Sequence, residues 1–563
     1  MVESNQRIAL RLFFCYNLSI LVRRRNKVEV SSMKTAYYNA KVYPGCIPLA
    51  QAFLVENGRF VMTGSNAEIL SALSDGDERV DLQGCFVCPG FNDSHMHLLS
   101  FGNTLRMANL AAHTHSLSGM LEAVRAFLAH HPPREGAWLL GRGWNQDLFA
   151  DVRRMPNRHD LDAISSVIPI LLTRACGHCC VVNTKALEQA GIHPDTTAPE
   201  GGVVDYENGL LYDNAIGLAE RGFPTPGKDE IRAMLRGACR EVNRYGITSV
   251  QTDDYQVFHG VPWQTVNEVY REMAAHGELT VRVCEQAQFT DVDSLRGFAE
   301  SGLEEGGEMF RIGPIKLLGD GSLGSRTAHL SRSYADAPDT RGFSLFSENT
   351  LNELVRCAHC HGMRVAVHAI GDACLDQVLN AIERAMISQP RSDPRHGIVH
   401  CQITRPDQLE RIRRLGLHIY AQSIFLDYDN HIVEQRVGET LAASSYNWKT
   451  LLDAGVSVSN GSDCPVELPN VMAGIECAVT RTSLDGTGPY LPSQAFTVQE
   501  ALDSFTWHGA EASFEEEYKG RIAPGYLADF TVLRENPFET EAHHLHEIQV
   551  LGCFLGGKCV YSA

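Results

Sequence analysis

The chain has 563 residues, of which 44% are hydrophobic and 21% are charged, and its formal net charge is −19. A chain of this length is too long to fold around a single compact core, so we expect a globular protein with two or three domains. The negative charge opposes binding to nucleic acid, because phosphate groups and an acidic surface repel each other. A small molecule is the expected partner.

The 17 cysteines are scattered through the chain without the regular spacing of a disulfide framework. Free thiols of this kind are typical of a reducing compartment. The sequence therefore predicts a cytoplasmic protein without a membrane partner. It leaves open whether the chain forms a homo-oligomer.

The first 32 residues differ in composition from the rest. An apolar stretch at 12–22 is followed by three arginines at 23–25, in an otherwise acidic chain. The stretch is too short and too interrupted to span a bilayer, and a basic cluster stands where a signal peptide needs a cleavage site. We expect residues 1–32 to be a non-native or disordered extension, with Met33 as the first residue of the functional chain.

Short strand-like runs with turn residues between them occupy both ends of the remaining chain. They lie at 35–43, 52–62, 80–82, 526–533 and 550–554. We expect residues 33–85 and 516–563 to pair into one small β-sandwich domain.

Eight apolar runs between these ends are typical of parallel strands that are buried on both faces. They lie at 86–92, 247–252, 280–287, 312–319, 364–369, 396–401, 418–423 and 456–461. Helical patterns lie between most of these runs. The sequence therefore predicts that residues 86–515 form a (β/α)8 TIM barrel, which belongs to the α/β fold class. The segment from about 103 to 240 is too long for a loop, and we expect it to form an insertion over the barrel mouth.

Five of these runs carry residues that can serve a metal site, and the active site of such a barrel forms at the carboxyl ends of its strands. Two histidines two positions apart on an extended segment point to the same side and can bind one cation. The candidate ligands, in chain order, are His95, His97, Lys316, His368, His400 and Asp463.

This order of residues resembles the ligand pattern of the amidohydrolase superfamily. Three further motifs are similar to its YtcJ-like branch, the group that includes N-substituted formamide deformylase: 319–328 (GDGSLGSRTA), 368–372 (HAIGD) and 520–529 (GRIAPGYLAD). The resemblance covers roughly residues 34–560. It implies a divalent metal cofactor, with zinc preferred, as one or two ions held by the six candidate ligands.

Lys316 is the unusual ligand, because a lysine ammonium cannot bind a cation and is costly to bury beside one. Carboxylation by CO2 would convert it into a carbamate with two oxygens, which can bridge two metal ions. Two alternatives stay open. Lys316 could pair with an acid such as Asp320, or an unmodified lysine could stand beside a single ion.

The resemblance also implies a reaction. Water activated by the metal would attack the substrate, while Asp463 would take a proton from it and pass the proton to the leaving group. His368 and His400 would bind the second ion. A further catalytic candidate is His178, which could polarise a substrate carbonyl.

The substrate contacts are predicted from four residues. Trp144 could form the wall of an apolar pocket, with plain core packing as its alternative, and His178, Asp320 and Arg326 could contact polar groups of the substrate. Cys176 and Cys464 depart from the family pattern. The substrate is therefore not transferred from a relative.

The sequence thus predicts a metal-dependent hydrolase that cleaves an amide-type C–N bond. One alternative keeps the metal site but attacks an ester, lactone or phosphoester. The other is a catalytically silent regulatory protein on the same fold.

Overall fold

The computed structural model describes residues 33–134, 136–152, 154–175, 179–199, 202–213, 215–258, 260–303 and 306–563. The predicted extension at 1–32, Cys176 and His178 lie outside these ranges. Within them, no helix combines the length and the apolarity needed to cross a membrane.

The described residues form 23 strands. These are β1 (Thr35–Tyr38), β2 (Lys41–Val42), β3 (Ala52–Glu56), β4 (Arg59–Gly64), β5 (Glu78–Asp81), β6 (Phe86–Pro89), β7 (Phe91–Met96), β8 (Ala108–Asn109), β9 (Leu139–Trp144), β10 (Ile170–Arg174), β11 (Cys179–Val182), β12 (Gly202–Asp205), β13 (Leu210–Asp213), β14 (Ile247–Thr252), β15 (Arg282–Gln288), β16 (Phe310–Leu318), β17 (Val365–Ala369), β18 (Gly397–His400), β19 (His418–Ala421), β20 (Val458–Asn460), β21 (Phe530–Leu533), β22 (Val550–Leu555) and β23 (Lys558–Ser562).

The α-helices of the same residues are α1 (Asn66–Ser71), α2 (Leu98–Thr104), α3 (Leu117–His130), α4 (Arg158–Asp162), α5 (Thr184–Ala190), α6 (Ile216–Glu220), α7 (Lys228–Arg244), α8 (Trp263–Ala275), α9 (Val292–Ala299), α10 (Glu348–Cys360), α11 (Asp372–Ser388), α12 (Pro406–Leu415), α13 (Leu426–Asp429), α14 (Val433–Ala442), α15 (Trp448–Asp453), α16 (Val471–Thr480), α17 (Val498–Ser504) and α18 (Trp507–Ala512).

Eight strands form the barrel. In spatial order they are β7, β14, β15, β16, β17, β18, β19 and β20, and each pairs in parallel with the next. Just beyond the paired segments, the Asp463 N–H donates to the His95 carbonyl (2.9 Å) and the His97 N–H donates to the Cys464 carbonyl (2.8 Å). These bonds join the last strand to the first, so the predicted (β/α)8 barrel is confirmed.

The run predicted as the first barrel strand is divided between two sheets. Residues 86–89 form β6, which pairs with β2 and β21 outside the barrel, and only β7 from Phe91 onward enters the barrel. Gly90 lies at the change of sheet, where a Cβ atom would stand 2.2 Å from the Thr248 hydroxyl oxygen. The apolar pattern runs on through the division because both segments are buried, and so it does not reveal the change.

The two ends of the chain form a small β-sandwich. One sheet has the order β4-β3-β1-β5, and the other has the order β2-β6-β21-β22-β23. Aromatic rings fill the space between them: Phe530 stacks on Phe554 with centroids 4.3 Å apart, and Tyr37 stacks on Phe53 at 5.0 Å. Strands from opposite ends of the sequence therefore share one core.

A buried ion pair fixes this sandwich to the barrel wall. Arg282, at the start of β15, donates from Nε to Asp529 Oδ2 (2.6 Å) and from Nη2 to Asp529 Oδ1 (3.0 Å). The hydroxyl of Thr531 in β21 donates to the carbonyl of Gly246, just before β14 (2.6 Å).

The chain divides into two compact units. One includes the barrel and the sandwich, and the second consists of Gly102–Met234 and Phe258–Val261. The second unit contains a six-stranded sheet with the order β12-β13-β11-β10-β9-β8 and its own hydrophobic core. This sheet falls within the long segment that the sequence predicts to be an insertion.

Candidate metal centre

The predicted ligands come from the carboxyl ends of five barrel strands. His95 lies in β7 with His97 just beyond it, and Lys316 lies in β16. His368 lies in β17, His400 ends β18, and Asp463 follows β20. Because parallel strands end at the same edge, residues separated by as many as 368 positions reach one place.

Three of these side chains form a compact and fully buried set of donors. His95, His400 and Asp463 each offer one ligand atom, and these atoms lie within 4.8 Å of one another. His97 adjoins this set, because its Nε2 is 3.1 Å from Asp463 Oδ1, while His95 Nε2 is 3.3 Å from the same oxygen.

A neighbouring oxygen orients each of these imidazoles. The Nδ1 of His95 lies 2.7 Å from Gln286 Oε1, and the Nδ1 of His400 lies 2.7 Å from Gln422 Oε1. An amide oxygen only accepts, so Nδ1 carries the proton and Nε2 keeps its lone pair. A histidine that ligates a metal is usually held in this way.

His368 and Lys316 complete the ring of predicted ligands. The Nδ1 of His368 lies 2.9 Å from His400 Nε2, and its Nε2 lies 3.1 Å from the Gly321 carbonyl oxygen. The Nζ of Lys316 is 3.2 Å from His95 Nε2. The six positions predicted from the sequence are therefore neighbours in space.

Asp253 is a seventh member of the site that the sequence analysis did not predict. Its Oδ2 accepts a hydrogen bond from Lys316 Nζ (3.0 Å), and its Oδ1 pairs with His97 Nδ1. Together with His95 and His97 it forms a second set of possible metal ligands. The prediction had considered Asp320 as the acid beside Lys316, and the structure places Asp253 there instead.

The protonation states of His95, His400 and Asp463 favour binding of a cation. Burial and the charge of Lys316 lower the pKa of His95, and burial and His368 hold the pKa of His400 well below its usual range. Burial opposes ionisation of Asp463, yet its close contacts with the imidazoles of His95 and His97 hold its pKa well below the usual range. The neutral imidazoles of His95 and His400 beside the Asp463 carboxylate are ligands of the kind that zinc prefers, so these residues fit a divalent ion.

The backbone around Asp463 is held in an uncommon conformation. Asp463 has φ = 57°, which is rare for a residue other than glycine. The buried carboxylate of Asp93 accepts hydrogen bonds from the N–H of Ser462 (3.0 Å) and from its hydroxyl group. Asp93 thereby connects the first barrel strand to the loop that carries Asp463. These hydrogen bonds hold the loop in its strained backbone conformation.

Two of the predicted substrate-binding residues have structural partners. Asp320 accepts hydrogen bonds from the N–H groups of Ile370 (3.0 Å) and Gly371 (2.9 Å), so it fixes the loop after β17. Arg326 pairs with Asp336 at 2.8 Å.

The other two substrate predictions, Trp144 and His178, fall in the long segment between the first two barrel strands. Trp144 has no exposed surface, packs in the core of that unit and donates from Nε1 to the Leu172 carbonyl (2.8 Å). This is the core-packing alternative that the sequence left open. His178 lies outside the described residues, so its predicted role stays a prediction.

Cys464, one of the two departures from the family pattern, is buried beside Asp463.

The residues that the sequence analysis missed are the partners that hold the ligands. Asp253 follows β14 as the first of two successive acids, and an acidic pair directly after a buried strand was an available signal. Gln286 in β15 and Gln422 after β19 gave no such signal, since glutamine is not among the usual ligands of zinc.

The barrel and this arrangement of donors define the class of protein. The fold is that of metal-dependent hydrolases: a structure of a metal-dependent hydrolase from Pyrococcus furiosus is similar, with a TM-score of 0.76 and 28% identity over 90% of this chain and 100% of that chain.

The chain belongs to the amidohydrolase family, whose model matches residues 78–561. It is 33% identical to the Bacillus subtilis (strain 168) protein YtcJ over 520 residues, which cover 91% of this chain and 96% of YtcJ. It is 26% identical to the N-substituted formamide deformylase of Arthrobacter pascens over 535 residues, which cover 91% of this chain and 95% of that enzyme. These matches confirm the predicted family.

Proposed function

We propose that this protein hydrolyses an amide-type C–N bond of a small molecule at a divalent metal centre, with zinc as the ion. The observation that carries the proposal is the position of Asp463, whose Oδ1 lies 3.1–3.3 Å from the Nε2 atoms of His97 and His95. The deformylase named above acts on a C–N bond of this kind and supports the choice of bond.

A bound divalent ion would lower the pKa of a water molecule to near 7 and so supply a nucleophile. His95, His97 and His400 would hold the ion through Nε2, because their Nδ1 atoms face Gln286, Asp253 and Gln422. If two ions bind, a carboxylated Lys316 would bridge them, and His368 with His400 would hold the second.

Asp463 would act as the general base and then as the general acid. Its carboxylate is ionised in the buried site, so it can accept the proton of the attacking water. An amine is a poor leaving group until its nitrogen is protonated, and the same carboxyl group can deliver that proton. An ester or lactone has a better leaving group and needs less protonation at this step, so the role of Asp463 as general acid matters more for the proposed reaction than for its alternative.

The direct test is a panel of N-acyl amines, formamides, esters and lactones, assayed with the zinc-loaded protein. Asp463→Asn serves as the inactive control, and the same protein stripped of metal by a chelator serves as a second control. We expect metal-dependent amine release from at least one amide. Turnover of esters or lactones only would favour the alternative reaction, and metal binding without turnover of any class would favour a regulatory protein.

A further inference from the structure

A second polar cavity lies at the opposite end of the barrel from the metal centre. It has a volume of about 260 Å³, and Arg311, Arg364 and Arg391 line it. Arg311 stands at the start of β16 and Arg364 directly precedes β17, whereas Lys316 and His368 lie toward the far ends of these two strands. The cavity therefore shares no residue with the metal centre.

Arg364 is the unusual group in this cavity. The residue is only 7% exposed, and its Nη1 has no hydrogen-bond partner. The guanidinium lies over the Phe514 ring, 4.6 Å from the centroid. Within the described ranges, no carboxylate is within ion-pair distance of it. A buried guanidinium normally has an anion or several acceptor oxygens, because taking its charge out of water is costly.

The other two guanidinium groups of the cavity have partners of their own. Arg391 donates to the carbonyls of Gly362 and Met363 (both 2.7 Å), which satisfy its hydrogen bonds and leave its charge in place. Arg311 has Glu515 at 3.8 Å, and its Nη1 donates to the Tyr518 hydroxyl group (3.3 Å). Three guanidinium groups thus line the cavity, and no carboxylate of the described residues pairs with that of Arg364.

The rest of the wall includes the apolar side chains of Phe298, Leu303, Ile312, Met363 and Pro394 together with the polar side chain of His361. A ligand that suits this wall combines an anionic group with a compact apolar body. A guanidinium presents two parallel N–H groups, which match the two oxygens of a carboxylate. The volume lies below the usual range of about 300–1,000 Å³ for ligand pockets, so the ligand is small.

We propose that this cavity is a binding site for a small apolar carboxylate, with Arg364 as its ion-pair partner. The carboxylate of the ligand would supply the ion-pair partner of a guanidinium that is otherwise buried without an anion. This proposal does not depend on the reaction at the metal centre.

The test uses the full-length, zinc-loaded protein with benzoate as the probe, and binding is measured by isothermal titration calorimetry. Arg364→Met removes the charge and keeps much of the side-chain volume. We expect it to weaken benzoate binding roughly tenfold or more, the loss of a charged hydrogen-bonded pair. Benzoate bound at the metal centre would be unaffected by this change, so an unchanged affinity would overturn the proposal, as would a wild-type protein that does not bind benzoate.

Arg395→Met is the matched control. Arg395 lies over the same Phe514 ring at 3.9 Å, but Glu516 (2.7 Å) and Asp393 (3.0 Å) already balance its charge. We expect this variant to keep benzoate binding and to unfold at a lower temperature than wild type. A loss of benzoate binding equal to that in Arg364→Met would show that the ring contact matters and would overturn the proposal.

Thermal unfolding without benzoate gives an independent readout. We expect Arg364→Met to be as stable as wild type or more stable, because an unbalanced buried charge is removed. A strongly destabilised or unfolded Arg364→Met would show a structural role for Arg364 and count against the site. Arg364→Lys keeps the charge without the planar fork, and we expect it to bind benzoate more weakly than wild type; equal affinity would contradict the proposed pairing.

Discussion

The ammonium of Lys316 lies 3.0 Å from Asp253 Oδ2, and both side chains are only 1% exposed. Asp253 also faces Nδ1 of His97, so a single carboxylate links two of the predicted metal ligands. Carboxylation of Lys316 would replace this attraction by repulsion between two anions, unless a cation lies between them. The chemical state of Lys316 and the number of metal ions are therefore linked.

Replacing Asp253 by Asn should weaken metal binding. The substitution keeps the size of the side chain but removes the charge that orients His97, and losses of this type reduce metal affinity by about 10–100-fold. Competition with a chromogenic chelator measures the change. Asp291→Asn is the control, because Asp291 caps α9 and Asn can replace it in that role. Equal zinc affinity in Asp253→Asn and wild type would remove Asp253 from the metal centre.

Asp463→Asn tests the proton transfer. The substitution keeps one ligating oxygen and removes the base, so we expect the protein to retain metal while activity falls about a hundredfold or more. Metal content and turnover are measured on the same sample. Near-normal turnover would assign the base to another group, with His178 as the next candidate.

Lys316→Ala distinguishes the two states of Lys316. If a carbamate bridges two ions, the variant loses metal and activity together, and short carboxylic acids partly restore both by filling the vacated space. If Lys316 is instead an ammonium paired with Asp253, short alkylammonium ions restore function and carboxylic acids do not. The same additives on wild-type protein serve as the control. A variant that keeps one metal ion and full activity without additives would exclude both roles.

The Arg282–Asp529 pair should stabilise the joint between barrel and sandwich. Arg282→Met leaves the Asp529 charge buried without its partner, so we expect the free energy of unfolding to fall by about 3–5 kcal/mol. Urea denaturation measures it. Arg59→Met is the control, because Arg59 and Glu308 form an exposed pair worth about 1 kcal/mol or less. A similar small loss in both variants would show that the buried pair is not a main contributor to stability.

The clustering of the candidate ligands was predictable from the sequence because strand ends meet in a barrel. Buried strands leave continuous apolar runs, and the run around Val365 ends in His368 just as the run around Ile398 ends in His400. Once the runs are placed in a barrel, their carboxyl ends must converge. The position of each candidate ligand at the end of an apolar run therefore allowed the site to be predicted from the sequence.

The residues around the ligands were not predictable in the same way. Gln286 and Gln422 act through an amide oxygen that any polar strand residue could offer, so their role depends on three-dimensional placement. Arg326 sits in a family motif, yet its partner Asp336 lies ten residues farther on, and no periodic pattern predicts that pair. The division at Gly90 was hidden because the strands on both sides are buried.

The central claim is that the clustered histidines and Asp463 hold a divalent metal on which hydrolysis depends. The most direct measurement is zinc titration of chelator-stripped protein, with bound metal and amide hydrolysis followed together in wild type, His95→Ala and His400→Ala. We predict that activity rises in wild type in proportion to bound zinc, and that neither variant recovers metal or activity. Hydrolysis by metal-free protein, or full activity in the two variants, would contradict the account.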